Sequence, residues 1–284
     1  RRGQRIDVQG RVEQPNRAVT FDTALDFFPD YQQMELRQLE IAGSGEPWRM
    51  AGPDAATVRY AASGVSVDGL AMERAAERIE IVCHLPLQAG QRDAPQASAS
   101  DSNNEQSALI VNLTSVNAGD LSELALGTPR VTGTADGQVT LRGVGDRLAA
   151  SADVTLVAGT LENVPFNLVA LQGEIAEGMA DITARVEEPG GAALDITGDM
   201  PIREDAGVAD IRVAGQGINL GLLGAATTTV TDVTGQATVD VHVTGPLSSL
   251  AFDGMARLDN GALTVAPTGV RYQEINAGLR FDNE

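Results

Sequence analysis

Residues 237–243 read ATVDVHV, and this short stretch decides the fold. Apolar and polar residues alternate in it, so Val239, Val241 and Val243 lie on one face of an extended chain while Asp240 lies on the other. An apolar face and a polar face on the same segment are typical of a half-buried strand. The sequence therefore predicts a β-strand here.

The same period-two pattern returns along the chain, for example in residues 180–187 and 209–213. Each such run ends at Gly, Pro, Asn or Asp, the residues that supply turn geometry. Asn260-Gly261 predicts a two-residue hairpin turn, because that turn needs positive φ at both positions. Helix signals are short: residues 71–79 fit either a helix or a strand and turn, and residues 219–224 allow one or two helical turns.

Composition limits both the core and the partners. Hydrophobic residues make up 43% of the 284 residues but aromatic residues only 4%, so the core must be built from Val, Leu, Ile and Ala. The formal charge is −19, and all 20 basic residues are Arg. The acidic excess follows residue 92, where 26 Asp and Glu accompany 9 Arg. Such a surface repels phosphate backbones, so we expect no nucleic-acid partner.

The residue patterns divide the chain into three segments. Residues 1–87 and 108–284 predict an N-terminal and a C-terminal β-repeat segment, and residues 88–107, rich in Gln, Ala, Ser, Asp and Asn, predict a polar loop or linker. No run approaches 18 apolar residues, and the chain opens on Arg rather than Met. We interpret it as a piece of a longer protein.

An internal repeat is visible at an offset of 102 residues. Segment 131–165 aligns without a gap with segment 233–267, and 12 of the 35 positions are identical. Glycines and apolar positions recur together as strand, glycine turn and strand. A unit that buries its apolar face only by stacking on neighbours predicts an all-β, elongated and repetitive antiparallel sheet.

At these residues the chain resembles the TamB/AsmA-like superfamily, and in particular its C-terminal TamB-type repeats. The similarity lies in the phrases TGPL at 244–247, LDNGAL at 258–263 and GEPWRM at 45–50, the last followed by alternation over 58–70. The resemblance implies a sheet curled into an open hydrophobic trough. It also implies a periplasmic bridge whose parent is anchored in the inner membrane and reaches an outer-membrane β-barrel assembly-type partner.

The activity implied is movement of phospholipid between inner and outer membranes, with a linked role in outer-membrane protein assembly. Inward apolar side chains of the repeated positions would line the trough: Val139, Leu141, Leu156, Leu161, Val241, Val243, Leu258 and Leu263. The alternative is that these side chains pack against a second sheet in a sandwich. A second alternative for the whole chain is a structural or adhesive β-solenoid of the cell surface that transports nothing.

The sequence contains few candidates for catalytic residues. The two histidines, His84 and His242, are too few for a three-histidine zinc site, and Asp240 with His242 forms a polar-face pair that we interpret as solvated. Cys83 and His84 are adjacent, so their side chains point to opposite faces of a strand. Trp48 marks either a binding spot or the edge of a core. We therefore expect no enzyme activity, no metal site and no cofactor.

Overall fold

A computed structural model describes residues 4–14, 17–43, 45–62, 64–86, 108–126, 131–143, 149–161, 164–224 and 230–282. The prediction of an all-β, repetitive antiparallel sheet is confirmed, since 17 strands belong to one long antiparallel sheet. Its curling into a trough stays a prediction. The polar linker predicted at 88–107 lies outside the described residues.

The chain separates into two compact units. Unit 1 holds residues 1–115 and 137–150, and unit 2 holds residues 116–136 and 151–284. Eight strands form the main part of unit 1: β1 Gln4–Gln14, β2 Arg17–Phe27, β3 Tyr31–Ala42, β4 Trp48–Met50, β5 Ala56–Ala61, β6 Gly64–Arg74, β7 Glu77–Pro86 and β8 Ala108–Asn117. They pair in chain order, except that β4 and β5 both lie between β3 and β6.

The remaining elements follow in chain order: α1 Ala118–Leu126, β9 Thr134–Arg142, β10 Ala149–Leu161, β11 Val164–Ala176, β12 Met179–Glu187, β13 Ala193–Pro201, β14 Ala209–Asn219, α2 Gly221–Gly224, β15 Val230–Gly245, β16 Ala251–Val265 and β17 Val270–Phe281. From β11 to β17 in unit 2, each strand pairs antiparallel with the next. The alternation in residues 237–243 thus belongs to the middle of a meander.

The geometry of the chain repeats at the offset seen in the sequence. Asn117 accepts a hydrogen bond from the Gly119 backbone N–H through its side chain, and 102 residues later Asn219 accepts one from Gly221; both bonds measure 2.8 Å. The amide after each Asn donates to the carbonyl of an equivalent glycine, Ala118 to Gly133 at 2.9 Å and Leu220 to Gly235 at 3.0 Å. The same local turn therefore precedes both copies of the repeat.

Several buried side chains of unit 2 lie beside these turns. Val116 and Ile218, also 102 residues apart, are 0% and 6% exposed, and Phe166 between them in the chain is 2% exposed. Glycine makes this packing possible: a Cβ at Gly221 would lie 2.5 Å from a methyl of Val164. Part of the core of unit 2 thus lies where the short helices meet the ends of the strands.

The hairpin predicted at Asn260-Gly261 is wrong. Both residues lie inside β16, which continues to Val265, and the pairing with β17 shifts register between Leu258 and Gly261. Asn260 does take a positive φ of 52°, as does its repeat counterpart Ala158. The left-handed conformation that this dipeptide tolerates is used here for a β-bulge, because paired strands on both sides keep β16 extended.

The segment at 71–79 is a strand and turn. Arg74 and Glu77 are paired at the end of β6 and the start of β7, and the two alanines between them form the turn. Ala75 takes a φ of 51°, which suits the tight turn joining neighbouring strands. Pairing between β6 and β7 decides the conformation, because a helix over this segment would remove the backbone hydrogen bonds that join residues 71–74 to residues 77–80.

Candidate lipid-binding face

Each residue predicted to line a trough lies on a strand. Val139 and Leu141 lie on β9, Leu156 and Leu161 on β10, Val241 and Val243 on β15, and Leu258 and Leu263 on β16. Val241 is buried at 8% exposure, and the other seven are half-buried. Val241 pairs with Val213 on one side and Gly254 on the other, so its side chain belongs to a row that crosses several strands.

That row defines the unit 2 apolar face. Pairing runs from Leu171 through Ala184, Ile196 and Val213 to Val241, and paired residues of neighbouring strands share a face. The rows on either side complete it with Val169, Ile182, Val186, Leu194, Ile211, Val239 and Val243. These side chains are half-buried, apart from buried Val241 and Leu171, which is 39% exposed. A second sheet packed on this face would bury them, as sandwich cores are buried.

Unit 1 carries an apolar face of the same kind, and its residues are not among those predicted to line a trough. It comprises Ile6, Val8, Phe21, Leu25, Met34, Leu36, Leu39, Ile41, Met50, Val58, Val67, Met72, Ile79, Ile81 and Cys83, brought together by cross-strand pairing. Leu36, Met72 and Cys83 are buried, Ile6 is 43% exposed, and the remainder are half-buried. The sequence feature that indicates this face is the alternation of apolar and polar residues in β1 and β2.

Aromatic residues lie at both ends of the unit 1 apolar face. At one end Phe27 and Tyr60 pair with Gln32 from either side, with 40% and 55% of their surface exposed. At the other end Trp48 pairs with Ile41 and is half-buried. The Tyr60 and Trp48 rings each carry a polar atom, and such rings favour the border between apolar and wet surroundings.

An ion pair accompanies Trp48 at its end of this face. Arg74 donates two hydrogen bonds to the Glu77 carboxylate, 2.7 and 2.9 Å long, and its guanidinium carbon lies 4.8 Å from the centre of the Trp48 ring. Only 12% of the Arg74 side chain and 19% of the Glu77 side chain are exposed. The pair stands on the same face as Met72 and Ile79, two residues closer to the middle of the strands.

The opposite faces of both units are polar and carry ion pairs between neighbouring strands. Arg185 contacts Asp195 at 2.6 Å, and Glu187 and Asp195 together raise its pKa. His242 contacts Asp210 at 2.6 Å, while Asp240 contacts Arg212 at 2.9 Å. The histidine and aspartate that sequence placed side by side therefore have separate partners, and all four side chains are about half exposed or more.

Cys83 and His84 do lie on opposite faces. Cys83 is 6% exposed within the unit 1 apolar face, where burial raises the pKa of its thiol. The His84 imidazole lies 3.1 Å from Asp68 on the polar side. Neither can activate the other, because the strand backbone separates their side chains.

Two features are absent within the described ranges. No three His, Cys, Asp or Glu side chains there come close enough together to hold a metal ion. None of the helices described has the length and hydropathy required to cross a bilayer.

Comparison with known proteins gives no match. No family model matches the chain, and neither a curated protein nor a solved structure is significantly similar to it.

Proposed function

We propose that the protein shelters the acyl chains of phospholipid on its apolar faces and forms a segment of a periplasmic bridge that moves lipid between inner and outer membranes. Under this proposal its parent is anchored in the inner membrane and meets an outer-membrane β-barrel assembly-type protein, with a linked role in outer-membrane protein assembly. The bridge, its location and its partners come from the resemblance to the TamB/AsmA-like superfamily.

One observation carries the lipid-binding part of the proposal. Rows of apolar side chains cross successive strands and are only half-buried, as Ala184, Ile196 and Val213 are in unit 2. Covering such a surface with hydrocarbon is favourable by about 0.8 kcal/mol for each methylene removed from water. Large apolar patches on soluble proteins mark binding surfaces, and an acyl chain matches a patch that is long and lacks polar groups.

The polar faces also support binding of lipid to the apolar faces alone. Cross-strand pairs such as Arg185 with Asp195 and Arg212 with Asp240 are exposed to solvent and satisfied there. Hydrocarbon on that side would desolvate charges at a cost of several kcal/mol per ion. Lipid is therefore directed to one side of each strand.

Adjacent residues of β13 test the proposal, since Ile196 lies on the apolar face and Thr197 on the polar face. The chain and its Ile196→Glu and Thr197→Glu variants are incubated with phospholipid vesicles, separated by size and extracted with organic solvent. Mass spectrometry should find phospholipid with the unaltered chain and with Thr197→Glu, but much less with Ile196→Glu.

Circular dichroism checks that the three proteins are folded alike. A folded, unaltered chain that carries no lipid would overturn the proposal and favour the structural or adhesive scaffold. Equal amounts of lipid on both variants would also overturn it, because binding would then not depend on the apolar face.

A further inference from the structure

We propose that Trp48, Arg74 and Glu77 form a site for the headgroup of a zwitterionic phospholipid, whose acyl chains lie along the unit 1 apolar face. This inference rests on the proposed function and adds to it the class of lipid and the end of the face at which the headgroup is held.

Strand pairing places the three residues together. Trp48 pairs with Ile41, Met50 pairs with Met72, and the turn after β6 pairs Arg74 with Glu77. All three side chains therefore terminate the apolar rows at one end of the same face. An amphiphile lying along these rows would bring its polar part to this end or to the opposite one.

The position of the ion pair is unusual for its chemistry. In the same hairpin Arg78 and Glu80 form a pair on the polar face with 43% and 41% of their side chains exposed, against 12% and 19% for Arg74 and Glu77. A desolvated ion pair contributes little net stability, because the Coulombic gain is offset by the loss of hydration. Stability alone therefore gives little reason to place charges at the end of an apolar face.

A zwitterionic headgroup fits these charges. The planar guanidinium of Arg74 can bind phosphate oxygens through paired N–H donors. The Glu77 carboxylate offers an acceptor to an ammonium group, and the Trp48 ring holds the Arg74 guanidinium beside it through a cation–π contact. Because the site as a whole is neutral, a lipid bearing only negative charge would gain at Arg74 and be repelled by Glu77. A phosphoethanolamine headgroup satisfies both.

The length of the face is sufficient for acyl chains. Along β3, nine residue steps separate Ile41, beside Trp48, from Gln32, beside Phe27 and Tyr60. At about 3.3 Å per residue this corresponds to roughly 30 Å. The hydrocarbon core of a bilayer, which two opposed acyl chains span, is about as thick. One phospholipid can therefore lie on the face with its headgroup at Trp48.

The first test uses Trp48 as a reporter, because it is the only tryptophan in the chain. The full chain is loaded from vesicles of phosphatidylethanolamine carrying bromine either on chain carbons near the headgroup or near the methyl end. Bromine near the headgroup should quench Trp48 fluorescence at least twice as strongly. Equal quenching, or stronger quenching by the methyl-end bromine, would overturn the headgroup assignment.

This outcome is separable from failure of the proposed function. Lipid that is found by mass spectrometry but gives the reversed quenching pattern refutes only the headgroup site. Absence of lipid in both measurements refutes both proposals.

The second test removes the charges and keeps the side-chain shapes. Arg74→Gln combined with Glu77→Gln should still bind lipid, but its preference for phosphatidylethanolamine over phosphatidylglycerol should fall from roughly tenfold, the size expected for charged hydrogen bonds, to none. Arg78→Gln, on the polar face of the same hairpin, is the control and should keep the preference. A double variant that retains the preference would refute the site, and the quenching experiment decides if that variant does not fold.

Discussion

Gly159 shows how a single residue limits the fold of unit 2. A Cβ there would overlap the Thr132 carbonyl oxygen and lie 2.6 Å from the ring of Phe166. The neighbouring carbonyl belongs to the backbone, so it cannot rotate away as a side chain does.

Gly159→Ala should lower the free energy of unfolding by about 1–3 kcal/mol, the usual cost of overpacking. Gly278→Ala is the matched control, because no atom lies within 4 Å of a Cβ at Gly278. It should change stability by less than about 0.5 kcal/mol. Urea unfolding measures both, and equal midpoints for the two variants would contradict the packing described around Phe166.

Cys83 provides a pH-dependent prediction at the same scale. Burial raises the pKa of its thiol, so the folded chain binds the thiol proton more tightly than the unfolded chain does. The resulting stability is present below the thiol pKa of the unfolded chain and is lost as pH rises through the higher pKa of the folded chain.

Cys83→Ala should therefore flatten the alkaline side of the stability curve measured by urea unfolding between about pH 7 and 10. In the unaltered chain, alkylation of Cys83 should be slow when folded and fast in urea. Rapid alkylation of the folded chain would show that the thiol is not enclosed by the unit 1 apolar face.

Single residues were the hardest part to predict from the sequence. Asn260-Gly261 indicated a turn with positive φ at both residues. Positive φ is found at Asn260 alone and the turn is wrong, because the conformation depends on the strands on both sides of β16. The sequence does not decide between a binding spot and the edge of a core for Trp48, for the same reason. Only the pairing of β4 with β6 brings it to Arg74, which is 26 positions away in the chain.

Strands, by contrast, follow from local sequence. The alternation of residues 180–187 and 237–243 predicts β12 and β15 and the side chains that share a face, since each strand repeats every two residues whatever its partner is. Partners across strands are not encoded in that period. His242 faces Asp210 and not Asp240, because register sets which charges meet.

Register also creates repulsion on the polar face of unit 2. Glu174, Asp181, Asp199 and Asp210 are paired in turn across four neighbouring strands, β11 to β14. Like charges directly opposite each other destabilise a sheet, by up to about 1 kcal/mol per pair.

Two substitutions on one face of β13 separate repulsion from attraction. Asp199→Asn should raise the free energy of unfolding by roughly 0.2–1 kcal/mol, because it removes charge between Asp181 and Asp210. Asp195→Asn should lower it, because Arg185 loses a partner at 2.6 Å. Thermal unfolding at low salt measures both, and a loss of stability in both variants would show that the acidic row does not repel.

At the scale of the whole molecule, the net charge of −19 makes mutual repulsion the main electrostatic effect on stability. Raising NaCl from about 0.02 M to about 0.5 M shortens the screening length to a few ångströms and weakens repulsion among exposed carboxylates. The surface ion pairs are weakened too, but each contributes little in the first place. The midpoint of thermal unfolding should therefore rise with salt, and a fall would mean that ion pairs outweigh repulsion.

Six strands, β9 to β14, separate the start of one repeat copy from the start of the next. Strand direction reverses at each antiparallel pairing. Because six is even, equivalent strands of the two copies run in the same direction and present equivalent side chains on the same face. A gene duplication of 102 codons would therefore insert a complete module without reversing the facing of any side chain beyond it. Proteins of this construction can change length in whole steps, whereas an insertion of an odd number of strands would reverse the direction of every strand that follows.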